Sequence, residues 1–197
     1  MNKDWTGNKK STYTTLGASN HSDKERQEHD LYCTDPSAID DLFAVEKFSD
    51  YIWEPACGMG HLAKRMVDLG KRVYATDLYE YGYGKSGMDF LLESKVRDMD
   101  IITNPPYKYA EQFVTTALNI IPDGRKVAMF LKLTFLEGKA RKNMYAKYPP
   151  KVVYVYSYRK NCAMNGDFEK YKQATAIAYC WYVWEKGNCN NPIIKWI

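Results

Sequence analysis

Paired cysteines are missing from this chain. Its five, Cys33, Cys57, Cys162, Cys180 and Cys189, form no Cys-x-x-Cys and no regular spacing. That argues against a zinc site or a disulfide framework and for a reducing, cytoplasmic setting. No apolar run is long enough for a membrane span, and no leader-like segment opens the sequence, so neither a membrane span nor secretion is expected. Internal repeats and low-complexity tracts are also lacking. A Gly-x-x-x-x-Gly-Lys run is absent, which excludes a phosphate cradle of that kind. Residues 1–30 have almost no aliphatic side chains and are rich in Asn, Ser, Thr and Lys. They predict a flexible polar arm; the alternative is a strand that orders on nucleic acid.

What remains suffices for one folded domain. The 197 residues predict a catalytic-sized unit over 31–197 with a real core. Aromatics are plentiful, with 17 Tyr and 5 Trp, and many should sit at half-buried positions or on a binding face. A net charge of +4 is compatible with a nucleic-acid partner without requiring one.

The most informative stretch is Asp100-Ile-Ile-Thr-Asn104-Pro105-Pro106-Tyr107. Its β-branched run reads as a buried strand. Two prolines then forbid both a ladder partner and a helix, and Pro105 biases Asn104 away from helical angles. The expected product is a stiff corner at a strand tip, presenting an amide, carbonyls and an aromatic ring. A planar amine can donate its two hydrogens to the Asn104 side-chain oxygen and the Pro105 carbonyl while its ring stacks on Tyr107. That grip pulls the nitrogen toward tetrahedral geometry and aims its lone pair at an electrophile.

Upstream, Tyr51–Glu54 reads as a strand, Pro55-Ala56-Cys57-Gly58-Met59-Gly60-His61 as a tight loop, and Leu62–Leu69 as a helix. Strand, glycine loop and helix bring a ligand close to backbone N–H groups. Arg72–Asp77 is a second strand, and an acid at its tip, a little over 20 residues after the glycine loop begins, suits ribose hydroxyls. Tyr79–Gly87 is too irregular for a crossover helix and reads as a loop over the ligand. Thr34 or Asp35, with Pro36, starts a helix whose apolar face holds Ile39, Leu42, Phe43 and Val45. Tyr107–Ile121 has helical spacing, and Lys126–Lys132 is a buried fifth strand. Lys151–Tyr156 and Ala174–Trp184 read as an antiparallel pair at the sheet edge, joined by a basic linker ending at Phe168.

These motifs resemble the S-adenosylmethionine-dependent amino-methyltransferases, above all the N6-adenine DNA methyltransferases and their compact phage- or prophage-type members. The resemblance spans roughly Tyr32 to Lys186 and rests on Glu54-Pro-Ala-Cys-Gly-Met-Gly60-His61 and Asn104-Pro-Pro-Tyr107. It implies a Rossmann-like class I α/β fold with a seven-stranded, mostly parallel sheet and an antiparallel edge strand. It also implies transfer of a methyl group from S-adenosylmethionine to adenine N6 in DNA. Asn104, Pro105, Pro106 and Tyr107 would be catalytic. The cofactor would be held by Tyr32, Thr34 and Pro36, by Glu54, Pro55, Ala56, Cys57, Gly58 and Gly60, by Asp77 and Leu78, by Asp89 and Phe90, and by Asn104. Tyr107, Lys108, Phe168 (or Tyr171), Lys139 and Arg141 would face the substrate. From the residues alone, Asp89 and Phe90 read equally well as a helix cap and a core residue, and the cluster Lys139–Met144 equally well as a solvated helix face. The resemblance departs from the family after the last expected strand, where too few residues follow for a separate target-recognition domain. The recognition sequence and oligomeric state stay open. Methylation of RNA adenine or of a protein glutamine amide, and a non-catalytic binding module, are the alternatives.

Overall fold

The computed structural model describes residues 31–160, 162–164, 166, 168 and 177–197. The expected N-terminal arm, Tyr171 and residues 174–176 of the expected last strand lie outside them. Seven strands form the main sheet: β2 (Tyr51–Glu54), β3 (Arg72–Ala75), β4 (Asp100–Thr103), β5 (Lys126–Lys132), β6 (Val152–Val155), β8 (Tyr179–Glu185) and β9 (Ile193–Trp196). Their order is β3-β2-β4-β5-β8-β6-β9. Two further short strands, β1 (Tyr32–Thr34) and β7 (Cys162–Met164), pair antiparallel as a separate ribbon, with Cys33 opposite Ala163.

Side-chain alternation sorts the core into two layers, as a period of two requires. Val127, Met129 and Leu131 of β5 pack on one face with Phe113, Val114 and Ala117 of helix α3 (Ala110–Ile120). Ala128 and Phe130 pack on the other with Ile39 and Leu42 of α1 (Ser37–Val45) and Leu62 and Met66 of α2 (His61–Asp68). A short helix α4 (Lys142–Lys147) adds Met144 to the first layer. With helices on both faces, the central strands can be apolar throughout, and β4 is fully buried.

The expected antiparallel strand is present, but it is not at the edge. β8 runs antiparallel to both β5 and β6 and lies between them. The reason is its composition: Tyr179 to Trp184 are all buried, so the strand needs a neighbour on each side. The edge beyond β6 belongs to β9, which the sequence reading did not anticipate. β9 pairs parallel with β6 and is exposed throughout, Trp196 at 71%. No sheet strand lies between β3 and β4 among the described residues. Tyr79–Gly87 is a string of turns, with one bridge from Thr76 to Lys85.

The chain leaves β2 toward β3 on one side, and β4 lies on the other. The crevice outside the carboxyl ends of β2 and β4 is therefore a topological switch point, the usual ligand position in open α/β sheets.

Candidate active site

A cavity of about 500 Å³ opens at that switch point. Glu54 ends β2 beneath it, and Asn104 follows β4 beside it. The glycine loop forms one wall. Gly58 and Gly60 hold positive φ, 51° and 79°. A Cβ on Gly60 would sit 2.2 Å from the Tyr83 ring, so the Tyr79–Gly87 loop closes against the turn only because no side chain is there.

Nearly all the residues expected at the cofactor share this cavity. Tyr32, Thr34, Glu54, Pro55, Ala56, Cys57, Gly58, Asp77, Leu78, Asp89 and Phe90 line it, as do Asn104, Pro105, Pro106, Tyr107 and Lys108. Pro36 and Gly60 do not. Pro36 stands at the start of α1, where Asp35 Oδ1 accepts from the Ser37 N–H at 2.9 Å. Gly60 shapes the loop from behind.

Two carboxylates set the electrostatics of the loop side. Glu54 is 2% exposed, and burial holds its carboxyl well above the usual range. The N–H of Ala63 in α2 lowers it again, while the charge of Asp77 adds to the rise. One Glu54 oxygen, Oε2, is buried with no hydrogen-bond partner among the described residues. Asp77 is also raised by burial, against backbone N–H groups that oppose the shift. Its Oδ2 accepts from Gly58 at 2.8 Å and its Oδ1 from Tyr79 at 3.0 Å. Asp77 thus ties the glycine loop to the following turn. Asp89 Oδ1 accepts from Leu91 at 2.9 Å and caps a one-turn helix, Phe90–Leu92. Phe90 packs edge-on against Trp53, with centroids 5.1 Å apart. The cap and core readings of this pair both hold here, at residues that also line the cavity.

On the corner side, the Asn104 amide is oriented by the β1–β7 ribbon. Its Nδ2 donates to the Tyr32 carbonyl at 3.0 Å, and its Oδ1 is buried with no partner among the described residues. Sequence motifs could not supply this contact, because the acceptor is a backbone carbonyl 72 residues away in the chain. Tyr107 is half-buried, and its hydroxyl is pushed well above the usual phenol range by burial, then by Cys162 and Tyr179. Among the described residues, seven buried side-chain nitrogen or oxygen atoms lack a partner. Four of them, on Thr34, Glu54, Asn104 and Tyr107, belong to cavity-lining residues; the Thr34 and Tyr107 hydroxyls lie against the Cys162 thiol, which leaves the Glu54 and Asn104 oxygens as the unmet acceptors. Buried polar atoms are normally paired, so such a concentration marks a place where a ligand completes the bonding.

The thiols beside the cavity are poor nucleophiles. Burial, then Glu54, pushes Cys33 up to about 11, and burial with Glu54 and Asp77 pushes Cys57 up to about 12. His61 is lowered by burial and by Lys64, and the ring of Phe168 meets it edge-on at 5.4 Å.

Phe168, Lys139 and Arg141 are not brought to the cavity wall. Phe168 reaches it only through His61. Lys139 is exposed. Arg141 turns its guanidinium onto the chain's own carbonyls, donating to Phe135 at 2.8 Å and also to Glu137. Those bonds build the loop that follows β5. Among the described residues, no group of three or more His, Cys, Asp or Glu is placed to hold a metal ion, and no helix is long and apolar enough to cross a membrane.

No family model and no curated protein matches the chain. Solved structures do resemble it. A Listeria monocytogenes protein assigned as a class I S-adenosylmethionine-dependent methyltransferase aligns with a TM-score of 0.60 at 12% identity, covering 89% of this chain and 68% of that one. A Vibrio vulnificus protein assigned as the modification subunit of a type I restriction enzyme aligns at 0.58 and 12% identity, covering 89% of this chain. The match spans 48% of that subunit, about half its length. An S-adenosylmethionine-dependent O-methyltransferase from Thermotoga maritima aligns at 0.51 and 14% identity, covering 79% of this chain and 66% of the other. At such identities the likeness is one of fold: a Rossmann-like α/β architecture shared with class I methyltransferases.

Proposed function

We propose that this chain transfers a methyl group from S-adenosylmethionine to the N6 amino group of adenine in DNA. The observation that carries this reading is the Asn104 amide, with its NH2 tied to Tyr32 and its oxygen left buried and, among the described residues, unpaired beside Pro105 and Tyr107. Two proteins of the same fold are named for S-adenosylmethionine-dependent methyl transfer, which supports the donor.

The cavity residues fit that donor. Glu54 and Asp77 offer negative charge to a cationic ligand, and the unpaired Glu54 Oε2 would accept from its ammonium group. Asp77 keeps acceptor capacity for ribose hydroxyls beyond its two backbone bonds. Gly58 lets the loop backbone approach closely, with Tyr32, Thr34, Pro55, Ala56 and Cys57 around it. Asp89 and Phe90, with Leu78, would receive the adenine end. Bound there, S-adenosylmethionine supplies a methyl group already activated on a sulfonium.

The chain's own work is positioning and charge. Asn104 Oδ1 and the Pro105 carbonyl accept the two hydrogens of the target amine. They stabilise the positive charge that grows on nitrogen as the N–C bond forms and the S–C bond breaks. Tyr107 supports the extruded base, replacing part of the stacking lost when it leaves the duplex. The spare proton then passes to solvent, so no histidine base is needed. The proposed site lies within the domain over 31–197, and Lys108 lines the cavity beside Tyr107.

The test is transfer of labelled methyl from S-adenosylmethionine to plasmid DNA, total RNA and a protein lysate. Label in DNA recovered as N6-methyladenine is the expected result. Label confined to RNA or to glutamine overturns the substrate, and cofactor binding without transfer to any of them overturns the activity.

A further inference from the structure

We infer that Lys132 is a substrate-positioning residue that contacts the phosphodiester next to the target nucleotide; this rests on the nucleic-acid reading above. Lys132 ends β5, one strand over from the Asn104 corner. Its ammonium lies over one face of the Tyr107 ring, 4.9 Å from the centroid, which leaves the base the rest of that ring to rest on. The mount is rigid. Lys132 pairs with Tyr179 in the sheet, its carbonyl accepts from the Tyr182 hydroxyl at 3.2 Å, and the next N–H donates to Ala178 at 2.8 Å.

Several other partly buried lysines of this chain are paired with a carboxylate, and Lys186 donates to the Ile121 carbonyl at 2.6 Å. Lys126 pairs with Glu46, Lys151 with Glu185 and Lys160 with Asp41. Lys132 has no carboxylate partner among the described residues, nor does Lys108 on the far side of the same corner. A half-buried cation without a counter-charge suits an anionic ligand. The loop side of the cavity is a poor place for that anion, since Glu54 and Asp77 present carboxyl groups there. The anion therefore belongs at the rim, a sugar's width from the base on Tyr107. A nucleotide in a strand has a phosphate there, whereas a glutamine side chain on a peptide has none.

The experiment measures binding of fluorescein-labelled DNA, RNA and glutamine-peptide probes by anisotropy across a salt series, with S-adenosylmethionine affinity measured in parallel. Wild type is compared with Lys132→Gln, Lys132→Ala, Lys132→Arg and the exposed control Lys95→Gln. A neutral variant that melts like wild type should bind DNA several-fold more weakly and lose about 1 from the slope of log affinity against log salt. Lys132→Arg and Lys95→Gln should keep the wild-type slope, and cofactor affinity should not move. If Lys132 only steadies the Tyr107 ring, the melting temperature changes and the slope does not, which overturns the inference. Wild-type binding of RNA but not DNA, with the same slope change, supports the phosphate contact and corrects the nucleic acid. Should wild type bind neither, the nucleic-acid reading fails and the inference with it; a wild type that binds with an unchanged Lys132→Gln slope sinks the inference alone.

Discussion

The interior of the sheet and the cavity at its carboxyl edge both bury polar atoms, yet most of those inside are paired, Thr103 Oγ1 of β4 being an exception among the described residues, while the cavity keeps acceptors unmet. Inside, the tryptophan N–H groups find acceptors. Trp53 donates to Thr76 Oγ1 at 2.9 Å, Trp181 to the Ala38 carbonyl at 3.0 Å and Trp184 to the Tyr148 carbonyl at 3.0 Å. Buried Asp100 accepts from the backbone N–H groups of Ser49 and Lys126 at 2.6 and 2.8 Å. At the cavity, Glu54 Oε2 and Asn104 Oδ1 are buried with no partner among the described residues. Leaving a buried polar atom unpaired costs about 1–3 kcal/mol. The interior has been arranged for stability, whereas the cavity retains bonding capacity that a bound ligand would use. Substitutions should therefore separate the two regions, with stability falling in one and activity in the other.

The sharpest break is expected at Trp181, which is fully buried and bonded to both Ala38 and Tyr156. Trp181→Ala should cost about 3–5 kcal/mol in denaturant unfolding, close to what a domain of this size can lose. Asn104→Ala should leave the melting temperature nearly unchanged and lower single-turnover methyl transfer by about 100- to 1,000-fold. Wild-type transfer with intact cofactor binding would remove Asn104 from the mechanism. Tyr107 tests the boundary between the regions. Tyr107→Ala should weaken transfer by about tenfold to a hundredfold, as expected from a lost stacking contact of about 1–3 kcal/mol. Tyr107→Phe should retain most activity and lose little stability, because among the described residues the hydroxyl it deletes meets only Cys162 and Tyr179 and the ring that supports the base remains.

Legibility in the sequence followed the same divide between local and distant contacts. The Asn104 corner, the glycine loop and the carboxylate after β3 are local patterns, and all three meet at one cavity. The ribbon that orients Asn104 was not legible. Its strands have three residues each and lie more than 100 positions apart, too short for periodicity and too far for a turn signal. The insertion of β8 between β5 and β6 was missed for a related reason: a long buried run declares itself a strand but not its neighbours. Arg141 resembled a substrate contact because a basic cluster looks the same whether its donors meet phosphate or the chain's own carbonyls. In the sequence Lys132 is only the last residue of a buried strand, and its contact with Tyr107 exists only in the fold.

Glu54 is where the two regions conflict within one side chain, and it sets the finest test. Its folded-state pKa lies above the ordinary 4.5, so the folded protein binds more protons than the unfolded chain between 4.5 and the raised value. Stability must then fall as pH rises through that window, the reverse of a salt-bridged carboxylate. A cationic ligand favours the ionised carboxylate, so its binding releases a proton and tightens as pH rises through the same window. Glu54→Gln removes the ionisation. The variant should melt at a slightly higher temperature than wild type at neutral pH, and its melting curve should lose this pH dependence. It should also bind S-adenosylmethionine more weakly, with an affinity that no longer rises with pH. Calorimetric titrations from pH 5 to 8 in the two proteins read all of this. A Glu54→Gln protein that is less stable than wild type and binds the cofactor equally well would make Glu54 part of the interior after all, and the division between the two regions would fail where it is drawn most finely.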